Sequence, residues 1–400
     1  MRKLVQALFL KTLPHLQVGP RMKQMVRLCD GVLEIQGDRI ALHPGRAVRV
    51  VAMGKAAIEM THTLAEIMLD VRLRGVVAAP AIPKFPLRGF EYFAGGHPYP
   101  NEQSWRAAEA ALSLLDQRNV TEDDLVIFLI SGGGSTLMER PLKPFGGGTV
   151  GLAKIEPSIS LQELRRFHEI LVTCGANIQE INTVRKHFSV VKGGRLAQAA
   201  WPARQITLYV SDVPEHLPSM VASGPSMPDD STLEECDQIM VRYGILWRFP
   251  SIFRTVFETG ALKDTPKLGD PCFGRSLYYC LLANSNAVEK LAELAEAAGV
   301  VVETDTRCDD WNFQKAADYL LDALGGLRQG NPGKPVAIIS GGELSCPVTG
   351  DGMGGRNQAF VLDCVTKIAG LPVVVLSAGT DGIDGNSPAA GAIADGQSLE

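Results

Sequence analysis

Short apolar runs alternate with longer amphipathic segments along most of the chain. The runs that have the length and the β-branched content of strands are "AVRVVAM" (47–53), "GVVAAP" (75–80), "LVIFLI" (125–130), "QITLYV" (205–210), "PVAIIS" (335–340) and "PVVVLSA" (372–378). Helical patterns lie between these runs. The alternation predicts an α/β fold that is built on a parallel sheet.

Apolar residues that recur every three or four positions predict helices. One such stripe predicts a single helix that ends at Gly193 and Gly194. It consists of Ile170, Cys174, Ile178, Ile181, Val184, Phe188 and Val191. Residues 285–300, "SNAVEKLAELAEAAGV", predict another helix, which Ser285 opens and Gly299 closes.

The length of 400 residues indicates two domains. Hydrophobic residues make up 46% and charged residues 21%, a balance that is typical of soluble globular proteins. Segments rich in proline and glycine at 262–274 and 325–335 are the natural breaks. We therefore expect a boundary within 265–330 and domains at 1–265 and 266–400.

Charge and cysteine content exclude several classes of protein. A net charge of −5 argues against nucleic-acid binding, and no apolar window is long enough to span a membrane. Lys11 interrupts the apolar stretch of "MRKLVQALFLKTLPHL", which indicates an amphipathic helix rather than a signal peptide. The eight cysteines form no CxxC pair, so we read them as reduced and the protein as cytoplasmic.

Glycine and polar residues gather at the carboxyl ends of five predicted strands. These strand ends read "MGKAA" (53–57), "SGGGS" (131–135), "SDVPEHLP" (211–218), "SGGE" (340–343) and "SAGTDGIDG" (377–385). In an open parallel sheet the ligand crevice lies outside those ends. One such end could be only a turn, but five together favour a ligand site.

Two of these strand ends have the character of an anion site. Lys55 stands at the start of a predicted helix, where backbone N–H groups attract anions; a solvated surface lysine is the alternative. In 131–135, Gly132, Gly133 and Gly134 make either a tight turn or an anion-binding nest, to which Ser131 and Ser135 add hydroxyl groups. No Walker sequence is present, and no GxGxxG follows the first predicted strand.

The C-terminal strand ends offer acidic residues and an arginine. Glu343 and Asp351 could bind a metal ion or accept a proton. Arg356 begins a predicted helix, where its charge opposes the helix dipole, so we prefer an arginine that faces an anionic substrate over a surface arginine. Asp381 and Asp384 either hydrogen-bond their own turn or help to bind Mg²⁺.

The histidines add no catalytic signature. The chain has neither GxSxG nor HExxH, and its histidines lack metal-ligand spacing. His97 and His187 stand beside other polar residues, and a structural role is the preferred interpretation for both.

Taken together, the motifs resemble the glycerate 2-kinase family, whose C-terminal part is the MOFRL domain and whose members are often labelled hydroxypyruvate reductase. The resemblance runs from about residue 50 to the end and rests on "MGKAA", "GGHPYPNEQS", "SGGGSTLMERP", "EINTVRKHFSVVKGGRLA", "SDV" with "VASGPSMPD", "SGGELSCPVTGDGMGGRNQ" and "GTDGIDGNSPAAGAIADG". Each motif alone is weak, but the set is specific.

The resemblance implies phosphoryl transfer from ATP to D-glycerate, with Mg²⁺ as cofactor and 2-phosphoglycerate as product. It implies a larger Rossmann-like N-terminal domain with helices on both faces of its sheet, a smaller α/β C-terminal domain, and an active site in the cleft between them. Lys55 and Arg356 match the suspected catalytic pair of the family. The 131–135 loop would cradle phosphates, and the candidate metal ligands are Asp212, Glu343, Asp351 and Asp381.

Two departures limit the carry-over. Relatives often have Gly-Asp after "SDV", where this chain has Pro214, Glu215 and His216, so Asp212 is the firm acidic match in that loop. Relatives also continue past "AAGAIADG" to a further glycine-rich motif, whereas this sequence stops at Glu400. An NAD(P)H-dependent hydroxypyruvate reductase and a non-catalytic anion-binding module are the alternatives, and a homodimer is an open option.

Overall fold

The computed structural model describes residues 1–118, 120–143, 159–214, 216–347 and 350–399. The strands are β1 Val26–Cys29, β2 Val32–Ile35, β3 Asp38–Ala41, β4 Val48–Met53, β5 Leu73–Ala79, β6 Phe90–Ala94, β7 Leu125–Ile130, β8 Arg204–Val210, β9 Ser276–Leu282, β10 Val301–Thr304, β11 Val336–Ile339, β12 Val374–Ala378 and β13 Gly391–Asp395. The helices are α1 Arg2–Thr12, α2 Val18–Met25, α3 Ala57–Ile67, α4 Glu102–Leu114, α5 Gly134–Leu137, α6 Leu161–Val172, α7 Ile178–His187, α8 Arg195–Ala200, α9 Leu233–Arg242, α10 Ser251–Glu258, α11 Asn284–Ala297, α12 Phe313–Gly330 and α13 Arg356–Lys367.

The chain forms two compact units. One unit is Val18–Leu282, and the other combines Met1–Gln17 with Ala283–Glu400. The break between residues 282 and 283 lies within the predicted range of 265–330, whereas Met1–Gln17 belong to the other unit than the predicted division assigns them to. Helix α1 packs on α11, β12 and β13, and Arg2 donates a hydrogen bond to the carbonyl oxygen of Ile393 (3.0 Å), which ties the first residues to the last ones.

A six-stranded parallel sheet forms the centre of the larger unit. Its strand order is β6-β5-β4-β7-β8-β9, so the order reverses between β4 and β7. This is the order of a doubly wound sheet, and such sheets bind ligands at the point of reversal. The parallel α/β fold that the apolar runs predict is confirmed for the runs that form β4, β5, β7 and β8. The runs at 335–340 and 372–378 form β11 and β12 in two other sheets, so their ends do not share an edge with the large sheet.

The two faces of the sheet bury alternate residues of each strand. On β4, Val50 and Ala52 pack with α3 on one face, while Val51 and Met53 pack with α4 on the other. Both sets are fully buried, which is why these strands read as continuous apolar runs. The edge strands β6 and β9 include half-exposed and exposed residues, so their apolar pattern is weaker. The sequence therefore did not predict these two strands.

The prediction of a single helix ending at Gly193 and Gly194 is wrong. Helix α6 ends near Thr173, and Gly175 adopts φ +90 in the turn that follows. Helix α7 then begins afresh, because the side chain of Asn177 accepts a hydrogen bond from the backbone N–H of Glu180 (2.9 Å). Two helices with similar buried stripes therefore follow each other closely enough to imitate one.

The smaller unit contains two short sheets. Strands β10 and β11 pair in parallel, and β12 and β13 pair antiparallel. Helices α12 and α13 pack against each other and bury Ala316, Ala317, Phe360 and Cys364. Helix α11, which the sequence predicts over 285–300, begins at Asn284 and is followed by Gly299 in a left-handed conformation. No helix within the described ranges is both long and apolar enough to cross a membrane.

Candidate active site

The candidate site is built around a close contact between the ends of strands β4 and β7. Gly54 follows β4 with φ +117, and a Cβ placed on it would lie 2.2 Å from Oγ and 2.4 Å from the carbonyl oxygen of Ser131, which follows β7. No side chain fits in that space. The backbone N–H of Lys55 donates to the carbonyl oxygen of Gly132 (2.9 Å), and that of Ala56 donates to Oγ of Ser131 (3.0 Å). The two strand ends are therefore joined where the strand order reverses.

These hydrogen bonds correct the expectation for the start of α3. The N–H groups of Gly54, Lys55 and Ala56 all donate to protein oxygens, because Gly54 also donates to the carbonyl oxygen of Ala78 (3.1 Å). They are not available to an anion at this helix end. What remains of the predicted anion site at Lys55 is its side chain.

The glycine loop, residues 131–135, keeps several amides open. The N–H groups of Gly132, Gly133 and Ser135 donate to no acceptor in the described part of the chain, and all three residues are partly exposed. Gly133 has φ +79, which a residue without a side chain adopts readily. Adjacent N–H groups of this kind make a concave site for anionic oxygens.

Two residues of the glycine loop serve the fold instead. The N–H of Gly134 donates to the carbonyl oxygen of Ser131 (3.3 Å). The hydroxyl of Ser131 accepts from Ala56 and donates to the carbonyl oxygen of Met53 (3.4 Å). The hydroxyl donor that the sequence suggests at Ser131 is thus already used, and the open donors are at Gly132, Gly133 and Ser135.

Three ionisable side chains surround the glycine loop. A Cβ on Gly132 would lie 2.1 Å from Oδ2 of Asp212, and a Cβ on Gly133 would lie 3.6 Å from both Cγ of Lys55 and the ring of His97. The structure therefore brings Lys55 and Asp212 together, as their strand-end positions suggest. It also adds His97, for which the sequence favoured a structural role; its place beside "GG" at the end of β6 was the available signal.

Desolvation acts on the ionisable groups around the loop. Surrounding protein raises the pKa of Asp212, although Lys55 and His97 oppose that shift. Partial burial lowers the pKa of His97, and the ammonium group of Lys55 lowers it further. His97 is therefore the neutral imidazole at physiological pH, and its Nδ1 shares a hydrogen bond with Oγ1 of Thr136 (3.2 Å).

In the smaller unit, Arg356 begins α13 and pairs with Glu343 (Nη2 to Oε1, 2.5 Å). Buried Asp384 caps this helix, because its carboxylate accepts hydrogen bonds from the backbone N–H groups of Asn357 (3.1 Å) and Gln358 (2.8 Å). A negative cap offsets the unfavourable position of Arg356 at a helix N-terminus. Asp384 thus serves the fold, although it caps α13 rather than hydrogen-bonding its own turn as one interpretation had it.

One predicted metal ligand, Asp212, belongs to the larger unit, whereas the other three, Glu343, Asp351 and Asp381, belong to the smaller one. Among the described residues, no three His, Cys, Asp or Glu side chains are arranged to hold a metal ion. Asp381 accepts from the N–H of Ile383 (3.2 Å) in its own turn, and Asp351 is exposed. Glu215, in the loop where the chain departs from the family pattern, lies outside the described residues.

The chain is similar to known proteins over most of its length. The domain of unknown function DUF4147 matches residues 4–258, and the MOFRL family matches residues 336–400. D-glycerate 2-kinase of Thermotoga maritima is 36% identical over 90% of this chain and 84% of its own. A putative hydroxypyruvate reductase of Agrobacterium vitis is 36% identical over 89% of this chain and 77% of its own. The crystal structure of glycerate kinase from Thermotoga maritima matches 99% of this chain and 87% of its own, with a TM-score of 0.77 and 32% identity.

We expect Gly54→Ala to lower the free energy of unfolding by about 3 kcal/mol or more, because the new methyl group meets backbone atoms of Ser131. Gly31→Ala is the matched control. Gly31 also has positive φ (+74), but nothing lies within 4 Å of its Cβ position, so only backbone strain of about 1–2 kcal/mol applies. Urea unfolding of both variants measures the difference, and equal losses would contradict the close contact.

We expect Asp212→Asn to raise the melting temperature at pH 7. The folded pKa of Asp212 is raised, so ionisation of this carboxyl opposes folding as the pH rises through that pKa. The effect is absent below the ordinary pKa of 3.8, so the gain shrinks toward pH 4. Thermal unfolding between pH 4 and 8 measures it, with exposed Asp237→Asn as the control. A variant less stable than the parent at pH 7 would contradict the expectation.

Proposed function

This chain belongs to the glycerate 2-kinase family, and we propose from that membership that it transfers the γ-phosphoryl group of ATP to the 2-hydroxyl of D-glycerate. One structural observation supports the assignment most directly. Open amides of Gly132, Gly133 and Ser135 lie beside Lys55, where the order of the sheet reverses. A polyphosphate chain needs that combination of N–H donors and positive charge.

The glycine loop and Lys55 interact with the phosphates in different ways. The open amides donate hydrogen bonds to phosphate oxygens and hold them in place without a counter-charge. The ammonium group of Lys55 stabilises the negative charge on the transferring group, which is the main requirement of phosphoryl transfer. We propose Arg356 as a second cation for the same group; its carboxylate partner Glu343 would yield it to phosphate.

Asp212 fits a magnesium ion that is shared with the nucleotide. Mg²⁺ commonly takes one or two carboxylates together with phosphate oxygens and waters. Burial raises the pKa of Asp212, and nearby Lys55 offsets only part of this desolvation, so a bound cation would stabilise the carboxylate further. When bound, Mg²⁺ would neutralise phosphate charge. We propose that Asp212 holds it, while Glu343, Asp351 and Asp381 stay candidate ligands.

A nicotinamide-dependent reductase lacks its expected binding site. In doubly wound dinucleotide-binding folds the pyrophosphate lies on the N-terminus of the helix after the first strand of the sheet. That helix is α3 here; no GxGxxG precedes it, and the N–H groups of Gly54, Lys55 and Ala56, which come just before it, already donate to protein oxygens. The reductase name that some relatives carry is a mislabel. The eight cysteines are free thiols, and we propose on that basis a cytoplasmic enzyme.

The reaction is tested with purified protein, ATP, Mg²⁺ and D-glycerate, and the product is identified by phosphorus NMR. We expect 2-phosphoglycerate, and we expect its signal to vanish when Mg²⁺ is chelated. Absence of a phosphorylated product, together with NADH consumption on hydroxypyruvate, would contradict the proposal. Formation of 3-phosphoglycerate would contradict the choice of hydroxyl.

We expect Lys55→Ala and Arg356→Ala each to lower kcat by roughly 10²-fold or more, a loss of about 2.7 kcal/mol of transition-state stabilisation. Exposed cations serve as controls: Lys23→Ala for the first variant and Arg328→Ala for the second. Steady-state kinetics with D-glycerate measures the effect. If turnover in either active-site variant stays near normal, that residue has no part in the mechanism.

A further inference from the structure

Arg185, a partly buried arginine, borders the candidate active site and has no acidic partner among the described residues. Arg185 lies on α7, and its Nε–H is completely buried and donates to no acceptor in the ranges that the structure describes. None of its guanidinium nitrogens pairs with a described carboxylate. Tyr99 and His168 both lie close enough to Arg185 to interact electrostatically with it.

Neighbouring buried cations on the same segment are paired. Lys186 donates to Oδ1 of Asp229 (2.8 Å), and Lys192 donates to the carboxylate of Glu139. All four of these side chains are almost fully buried. The fold therefore supplies a carboxylate to two of the three cations between residues 185 and 192, and Arg185 is the exception.

A charged group that is shielded from water and has no counter-charge raises the free energy of the folded state. Burial lowers the pKa of Arg185 to about 10, so the guanidinium is still charged at neutral pH. The free energy of desolvating an ion is recovered only when an opposite charge approaches it with good geometry. No described residue provides that charge, whereas the carboxylate of a bound ligand would. Perturbed groups of this kind mark functional sites.

Two sets of contacts place Arg185 beside the glycine loop. Asn182, one helical turn before Arg185, has its Oδ1 3.3 Å from Oγ of Ser223. The preceding Ala222 packs against the glycine loop, since its Cβ is 2.7 Å from the position that a Cβ on Gly134 would take. Residues one turn apart share a face of the helix, so this face of α7 is turned to the loop.

The second set runs through the segment after β6. Tyr99, whose hydroxyl acts on Arg185, comes two residues after His97, whose ring lies 3.6 Å from the Cβ position of Gly133. Two residues of extended chain span at most about 7 Å. Arg185 and Lys55 therefore both lie near the glycine loop.

We propose that Arg185 binds the carboxylate of the hydroxy-acid substrate. The inference rests on the proposed function, which brings two anions to one site: the phosphates of ATP and the carboxylate of the acceptor. The glycine loop and Lys55 serve the first. A guanidinium presents parallel N–H donors that match a carboxylate, and this geometry orients the acid as well as holding it. Arg185 would thereby select acids over polyols.

Kinetics with Arg185→Gln tests the assignment. We expect KM for D-glycerate to rise on the order of 10²-fold, as for lost charged hydrogen bonds, while KM for ATP changes less than about twofold. Arg185→Lys keeps the charge but loses the parallel N–H donors of the guanidinium. Its KM for D-glycerate should therefore lie between those of the parent and Arg185→Gln. Arg166→Gln removes the same charge from an exposed position on α6 and should match the parent. A rise confined to KM for ATP would overturn the inference in favour of a phosphate contact.

Melting temperatures of variants distinguish an arginine that binds a ligand from one that stabilises the fold. Arg185→Met should melt at or above the temperature of the parent when no ligand is present, because it removes an unpaired buried charge. It should also lose the rise in melting temperature that D-glycerate causes. Lys192→Met is the contrast: it leaves Glu139 buried without its cation and should melt well below the parent. A large loss of stability in Arg185→Met would overturn the inference.

Direct binding distinguishes failure of this inference from failure of the proposed function. Calorimetry measures D-glycerate, and glycerol as an acid-free probe, against parent and Arg185→Gln with a non-hydrolysable ATP analogue present. Glycerate binding that Arg185→Gln abolishes supports the inference even if the parent forms no phosphorylated product. Equal glycerate affinity in the two proteins would overturn it even if the parent is an active kinase.

Discussion

The contact between Gly54 and Ser131 is the constraint on which the active site depends. Two parallel strands with a reversal of order between them leave a crevice, and the two chain segments that follow them must approach closely there. A side chain on Gly54 would hold them apart. Because they meet, the backbone of Lys55 bonds to Gly132, and the lysine side chain and the open loop amides are set beside each other.

The same site is built from groups that oppose folding. The carboxyl of Asp212 is desolvated, His97 is held neutral, and Arg185 carries a buried charge without an acidic partner among the described residues. Each would be better solvated in the unfolded chain. Such groups persist where a substrate supplies the missing interaction, and the cores on both faces of the sheet provide the stability that tolerates them.

The smaller unit shows how one residue type can serve either fold or chemistry. Asp384 and Asp381 stand three residues apart in one glycine-rich turn, and both could have been ligands. Asp384 is buried and caps α13, whereas Asp381 is exposed and bonds within its turn. The cap satisfies helix N–H groups that would otherwise be unpaired. It also offsets the charge that Arg356 places at the start of the helix.

The amino-acid pattern was enough to predict the parallel sheet and the strand ends at which Lys55 and Asp212 lie. Those features are local: a strand buried on both faces must be apolar throughout, and the ends of neighbouring parallel strands must share an edge. The break between α6 and α7, the loss of Ser131 as a free hydroxyl, and the surroundings of His97 and Arg185 became apparent only in the folded chain. These depend on which atoms lie opposite one another, and burial or an absent partner is a property of neighbours that are distant in the chain.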